Sequence, residues 1–354
     1  MKILMITHQL SQTGAPRAFL DLVECLCKTI YEKEDIEVLS FSEGPLRNEF
    51  EALGLPVTVN PALRGERRAM DGIVGKYDVI VANTLDCAFL VYYLGGMGQR
   101  IYWWIHETQS VFDSIKVQLS QMKFHYNVRI LSTGICEGKL IKKYMGCQSM
   151  ELRLKVKDDF PRIDDVHHCV RFVMVGAVAR QKGQDILLKS ILGLSADILG
   201  ETEFYFVGDY TKAGDSFLQT FAQINHDHPN VKLLGSMNHE QVFQIYDMCD
   251  VVVVPSRFES MSLVAIEGMM KNRLVIVSDG CGITEYMEDG AEGFVFENEN
   301  CSALTFALTE AVRLIRNGEA VDIIAGGRRL YEEFFSDASF VENVKRIFEN
   351  PKSD

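Results

Sequence analysis

Four β-branched residues halted by a proline, Val251-Val-Val-Val-Pro255, set the tightest limit on what this chain can fold into. A strand with no polar alternation is buried on both faces, the habit of parallel sheets, and Pro255 ends it because proline donates nothing to a ladder and holds its predecessor extended. After a polar loop, Leu263, Val264, Ile266, Met269 and Met270 predict an apolar helix, whose first free N–H groups Ser260 or Ser262 can cap. A strand end that feeds a helix N-terminus is an anion site. Glu259 and Glu267 bracket it. Carboxylates beside an anion pocket repel phosphate, so hydroxyls are their expected partners.

The same strand-then-helix rhythm runs along the whole chain in two series. Strands are predicted at Lys2–Thr7, Ile36–Phe41, Pro56–Asn60, Val79–Ala82, Arg100–Ile105 and Val128–Ser132, with helices at Pro16–Ile30, Leu46–Leu53, Cys87–Leu94 and Ile135–Tyr144. The second series has strands at Phe172–Val175, Phe204–Val207, Val231–Leu234, Val251–Val254, Leu274–Val277 and Phe294–Phe296. Its helices fall at Gln184–Leu192, Phe217–Asn225, His239–Met248, Leu263–Met270, Ala303–Ile315 and, last, Ala338–Phe348. Such alternation predicts an α/β protein with parallel sheets covered by helices on both faces. Val156–His168, rich in aspartate and without apolar periodicity, reads as the link between the series. The expected division is a domain over 1–160, a second over 161–335, and a C-terminal helix over 336–354 packing back toward the first.

Charge narrows the partners. The 354 residues carry a net charge of −13. Up to Asp165 there are 20 basic against 21 acidic residues, and beyond it 16 against 28, so the halves carry −1 and −12. Neither half offers the basic face that nucleic acid requires. A smaller patch, Lys139, Lys142 and Lys143 on one predicted helix near Lys155 and Lys157, suits peripheral contact with a membrane surface, against the plainer reading of a solvated helix face. The nine cysteines have no zinc-site spacing, and their odd number without a signal peptide suggests reduced thiols and a cytoplasmic setting. The longest uncharged apolar run, Cys87–Gly98, is too short to span a bilayer.

In sheets of this kind ligands bind at the carboxyl ends of strands, so the loops there hold the candidate chemistry. His8–Arg17 contains Gly14, which permits close backbone approach, and Pro16, suited to a first helical turn. Tyr102–Glu107 places His106 at a strand end, where a core or capping role competes with a functional one. Val175–Gly183 sets Arg180 and Lys182 among glycines ahead of a helix, a combination suited to phosphate but without P-loop spacing. Ser278–Glu285, with Gly280 and Gly282, predicts a tight turn.

Together these segments resemble the family 4 glycosyltransferases. The resemblance is carried by Gly176–Gly183 (GAVARQKG), Pro255–Glu267 (PSRFESMSLVAIE), Ser278–Glu285 (SDGCGITE) and Asp289–Gly293, in that order, with Gly14–Arg17 similar to the family's N-terminal glycine loop. It implies the GT-B fold, two Rossmann-like domains facing across a deep cleft, with the acceptor on the N-terminal side and the nucleotide sugar on the C-terminal side. It further implies that Arg180 and Lys182 bind the donor diphosphate and Glu267 the ribose hydroxyls. Glu259 would hold the hydroxyls of the transferred sugar, N–H groups around Met261–Val264 would complete the phosphate cradle, and His106 would face the donor sugar. Three departures stand out: Ala177 where arginine is frequent, Ser260 and Ser262 where glycines are frequent, and no glycine around Asp158–Pro161.

The implied reaction moves a sugar from a nucleotide-diphosphate sugar to a glycan, lipid-linked or small-molecule acceptor with retention, in cell-surface polysaccharide or glycoconjugate synthesis, without cofactor or metal. A sugar-nucleotide epimerase, a glycan phosphorylase or a non-catalytic subunit on the same fold are the alternatives.

Overall fold

The computed structural model describes residues 1–159, 168–211 and 213–349, so most of the expected link, Val156–His168, lies outside the described residues. The chain divides into two compact units: Met1–Lys155 with the C-terminal segment from Asp337, and Val156–Ser336.

The first unit is built on β1 (Ile3–Thr7), β2 (Ile36–Ser40), β3 (Val57–Val59), β4 (Val79–Asn83), β5 (Ile101–Ile105), β6 (Val128–Ser132) and β7 (Met150–Glu151). All pair in parallel, in the order β3-β2-β1-β4-β5-β6-β7. Helices cover both faces, so adjacent tryptophans on β5 enter different cores: Trp104 the one that holds Phe19 and Leu22, Trp103 the one that holds Leu90 and Phe112. The last helix, Asp337–Phe348, belongs to this unit. Phe340, Val344, Ile347 and Phe348 enter its core, and Phe348 lies against Tyr102 with ring centroids 4.6 Å apart. Asn343 of that helix accepts from the Arg153 N–H at 3.1 Å and donates to the Glu151 carbonyl at 3.0 Å. These bonds satisfy backbone groups that an edge strand leaves open.

The second unit holds β8 (Val170–Val175), β9 (Thr202–Val207), β10 (Val231–Gly235), β11 (Val251–Val254), β12 (Leu274–Ser278) and β13 (Phe294–Phe296), in the order β10-β9-β8-β11-β12-β13. The tetravaline strand β11 sits between β8 and β12 and is fully buried. In both sheets the strand order reverses beside the first strand, between β1 and β4 and between β8 and β11. That reversal opens a crevice at the carboxyl ends.

Four helices were not anticipated: Arg67–Asp71, Gln109–Gln121, Ala196–Gly200 and Val321–Phe334. The last carries Gly326 and Gly327 in its middle, poor helix formers explained by packing, since a Cβ on Gly326 would lie 2.0 Å from the Ala291 carbonyl oxygen. The basic patch also needs correcting. Lys139, Lys142 and Lys143 are exposed, but Lys155 is drawn inward to Asp337 at 2.8 Å and Asp21 at 3.7 Å. No helix among the described residues is long and apolar enough to cross a membrane.

Candidate active site

The reversal between β8 and β11 is built by two loops that meet backbone to backbone. After β8 the chain makes one tight turn, Arg180–Lys182, and enters the helix Gln184–Leu192 through Gly183, at φ 76°. A Cβ there would stand 2.0 Å from the carbonyl oxygen of Pro255, the residue that ends β11. Only glycine lets the loops approach this closely. Polar bonds then stitch them: Arg257 N–H to the Gln181 carbonyl and Gln181 Nε2 to the Phe258 carbonyl, each 2.8 Å. The Arg257 guanidinium grips both Asp185 oxygens at 2.9 and 2.8 Å and reaches Glu299 at 2.5 Å. Held between two carboxylates in planar, bidentate geometry, it fixes the frame of the site.

Within that frame Lys182 Nζ donates to Glu259 Oε1 at 2.8 Å, and Ser256 Oγ donates to the same oxygen at 2.6 Å. The Glu259 backbone is tied to the turn after β12, giving its N–H to Gly280 (3.2 Å) and accepting from Gly282 (2.9 Å). The Ser278–Glu285 loop is thereby brought alongside. Arg180 is exposed, and its guanidinium has no ion-pair partner among the described residues.

The helix Leu263–Met270 begins next to this pair. Met261 and Ser262 are buried, Ser260 and Val264 half-buried and Leu263 exposed. Ser262 is the cap, accepting from the Ala265 N–H at a long 3.4 Å. The N–H groups of Leu263 and Val264 have no hydrogen-bond partner among the described residues. Ser262 sits at φ 108°, ψ 89°, a conformation that favours glycine. Ser262→Gly is therefore expected to stabilise the protein by about 1 kcal/mol, because the relieved strain outweighs a weak cap that glycine replaces at a few tenths. Urea unfolding of the two proteins measures the difference.

One helical turn on, Glu267 accepts from the hydroxyl of the fully buried Tyr246 at 2.9 Å, and His239 Nε2 approaches its other oxygen at 3.9 Å. Burial pushes the Glu267 carboxyl up to about 7, against the lowering effect of the Tyr246 bond. The same burial, with Glu267 beside it, raises Tyr246 well above its usual range.

The first unit holds the remaining candidates. Gly14 opens the helix Gly14–Thr29, and a Cβ on it would meet nothing within 4 Å. His106 follows β5, its ring 4.3 Å from that of Trp104, and its Nε2 has no partner among the described residues. Burial, and secondarily the nearby His8, pushes the imidazole down to about 3. It is neutral at any working pH.

The residues expected to bind phosphate and hydroxyls in the second unit thus lie on the segments that follow β8 and β11: Arg180 and Lys182 after β8, Glu259 and the turn Ser260–Val264 after β11, and Glu267 one turn into the next helix, with Lys182 and Glu259 in direct contact. Among the described residues no group of three or more His, Cys, Asp or Glu side chains could hold a metal ion. Ser256, Arg257 and Tyr246 escaped sequence reasoning, although Arg257 lies inside the quoted motif. The partners of Arg257, Asp185 and Glu299, are 72 and 42 residues away, and Glu267 is 21 residues from Tyr246, so no local spacing reveals these pairings.

Comparison with known proteins bears on this arrangement. Residues 169–317 match the family described as glycosyl transferases group 1, and residues 1–144 match glycosyl-transferase family 4. The chain belongs to the family 4 glycosyltransferases. An uncharacterized glycosyltransferase of Methanocaldococcus jannaschii is 28% identical to this family 4 chain over 179 residues, spanning 50% of the chain and 47% of the relative. The match thus covers about half the length of that relative. Among solved structures, Anabaena HepE in complex with UDP superposes with a TM-score of 0.84 at 15% identity, covering 99% of this chain and 100% of that one. A glycosyltransferase from Rickettsia africae gives 0.77 at 14% identity, covering 99% of each chain. At these identities the likeness concerns the fold, and the family 4 chain has the GT-B architecture of two Rossmann-like domains.

Proposed function

We propose that this chain transfers a sugar, with retention, from a nucleoside-diphosphate sugar held at the β8–β11 crevice to a hydroxyl acceptor. The observation that carries the reading is the Lys182–Glu259 pair beside the unpartnered N–H groups of Leu263 and Val264. A cation and open helix N–H groups suit a diphosphate. Glu259 and Glu267 suit the hydroxyls on either side of it, those of the sugar and of the ribose. The Anabaena protein of the same fold has been solved with UDP and with UDP-glucose, which supports a nucleotide sugar as the donor class.

Charge dictates the mechanism. Cleavage of the sugar–phosphate bond leaves negative charge on the diphosphate while the anomeric carbon becomes cationic. Lys182 turns from Glu259 to the leaving diphosphate, Arg180 adds a second cation, and the helix N–H groups complete the cradle. One well-aimed donor in a dry site contributes roughly 3 kcal/mol, so these groups meet the developing charge without a metal. Released from Lys182, Glu259 stays oriented by Ser256 and accepts from the sugar hydroxyls. His106 offers the sugar a neutral hydrogen-bonding ring. The leaving phosphate takes the acceptor proton on the same face, which gives retention. A glycan or lipid-linked acceptor in cell-surface polysaccharide synthesis fits the reading, with Lys139, Lys142 and Lys143 as the face that meets a membrane from the cytoplasmic side.

A thermal-shift panel of UDP, GDP, ADP, CMP and dTDP sugars tests the donor class, since a ligand at 100 times its dissociation constant stabilises by about 2.7 kcal/mol. If none raises the melting temperature, the reading fails. A second expectation concerns pH. Ribose hydroxyls donate to ionised Glu267, whose carboxyl titrates at about 7. Nucleotide affinity therefore falls as pH drops through that value. Calorimetric titrations between pH 5.5 and 8.5 should show the fall in the wild-type protein. A flatter profile is expected in Glu267→Gln, which separates the effect from titration of the nucleotide's own phosphate.

A further inference from the structure

At the carboxyl end of β4, in the first unit, a backbone outlier sits where that sheet reverses its strand order. Thr84, buried and β-branched, takes φ 73° and ψ 162°. A β-branched residue at positive φ is strained and persists only where its surroundings over-determine it. They do so here through directional bonds. Its N–H donates to the Trp104 carbonyl at 2.8 Å, and its carbonyl accepts from Trp103 Nε1 at 2.7 Å. The next N–H, of Leu85, donates to Glu107 Oε1 at 2.7 Å, while Glu107 Oε2 accepts the N–H of His106 at 2.9 Å. One carboxylate thus ties the end of β4 to the end of β5. Asn83 fastens the same turn to the Ala15 carbonyl at 3.1 Å.

The product of this clamping is the placement of the Thr84 hydroxyl, 3.1 Å from His8 Nδ1 at the end of β1. Two histidines therefore stand at the ends of β1 and β5, the strands on either side of β4, each oriented from behind: His8 by Thr84, and His106 through its own backbone by Glu107. We propose that His8 is a second hydroxyl-binding residue of the first unit, beside His106, and that Thr84 and Glu107 are positioning residues for the two rings. The inference rests on the sugar-transfer reading for the identity of the hydroxyl, that of the sugar or of its acceptor.

The chemistry agrees. Burial lowers His8, opposed by Asp86 and assisted by Arg64, so its ring is neutral at pH 7. The charged groups around the pair are Asp86, Arg64 and Glu107, and burial raises Glu107 to about 7. A neutral ring has one donor and one acceptor nitrogen. With Nδ1 engaged by Thr84, Nε2 has no partner among the described residues and can donate to or accept from a hydroxyl in either tautomer.

Two measurements test this. Imidazole ¹⁵N NMR needs no ligand: Thr84→Val keeps the side-chain shape, removes the hydroxyl and should move the His8 nitrogen resonances, whereas Thr84→Ser should leave them near wild type. Unmoved His8 resonances in Thr84→Val overturn the positioning claim. UDP-glucose turnover with water as acceptor should fall about tenfold or more in His8→Gln and Thr84→Val, recover in Thr84→Ser, and leave UDP affinity unchanged. Wild-type turnover in His8→Gln overturns the binding role. A wild-type protein that binds no nucleotide defeats the sugar-transfer reading instead, and the NMR arm still decides whether Thr84 orients His8.

Discussion

Lys182→Ala is expected to lower kcat/KM for the nucleotide sugar by roughly 100- to 1000-fold. Lys182 is the cation that reaches from the turn after β8 to Glu259 after β11, on a turn held by Gly183 and by the Arg257–Asp185 fork. Its resting partner, Glu259, is only 11% exposed, so the attraction acts in a medium far less screening than water. Arg180 is exposed and untethered, and Arg180→Ala should cost no more than about tenfold. The folded state loses little with Lys182, because Ser256 still donates to Glu259. Melting temperature therefore stays close to wild type while turnover collapses. A Lys182→Ala enzyme within a few-fold of wild type would place the diphosphate elsewhere.

That contrast marks how far the amino-acid sequence could be read. Most strands and helices were legible because the tetravaline run, the aromatic β5 and the helix Leu263–Met270 carry apolar runs and spacings that survive in one dimension. The motif residues were legible because they lie on the loops that follow those strands. Other features depend on partners distant in the chain. A two-residue strand such as β7 has no period, and the helix Val321–Phe334 looks broken because its glycines answer to Ala291 and Glu292. Tyr246 behind Glu267, and Glu107 across the ends of β4 and β5, are orienting groups whose role exists only once the sheets are assembled. Ser262 is an instructive middle case. The resemblance marks it as a departure from glycine, but only the backbone at φ 108° shows that the departure is strained.

Two glycine substitutions separate architecture from binding. Gly183→Ala is expected to destabilise the second unit by about 4 kcal/mol or more, enough to unfold much of the protein at physiological temperature. At φ 76° an alanine already carries the cost of the left-handed region, about 1–2 kcal/mol. Its Cβ would also meet the Pro255 carbonyl oxygen at 2.0 Å and the carbonyl carbon at 2.8 Å. Neither is the far end of a flexible side chain, so relief requires the two loops to part, and with them Lys182 and Glu259. Gly14→Ala should behave oppositely. Gly14 is the first residue of its helix and is not at positive φ, and a methyl group there meets nothing within 4 Å. Stability is therefore unchanged or rises slightly, since alanine is the better helix former. If Gly14 admits the donor or acceptor, as the family resemblance implies, that methyl group occupies the space of the substrate. Urea unfolding of both variants, with turnover of Gly14→Ala, reads the difference: lost stability at position 183, and lost turnover without lost stability at position 14. A Gly14→Ala protein that keeps full turnover removes this residue from the site and leaves the recognition of substrate by the first unit to His106 and the turn at Thr84.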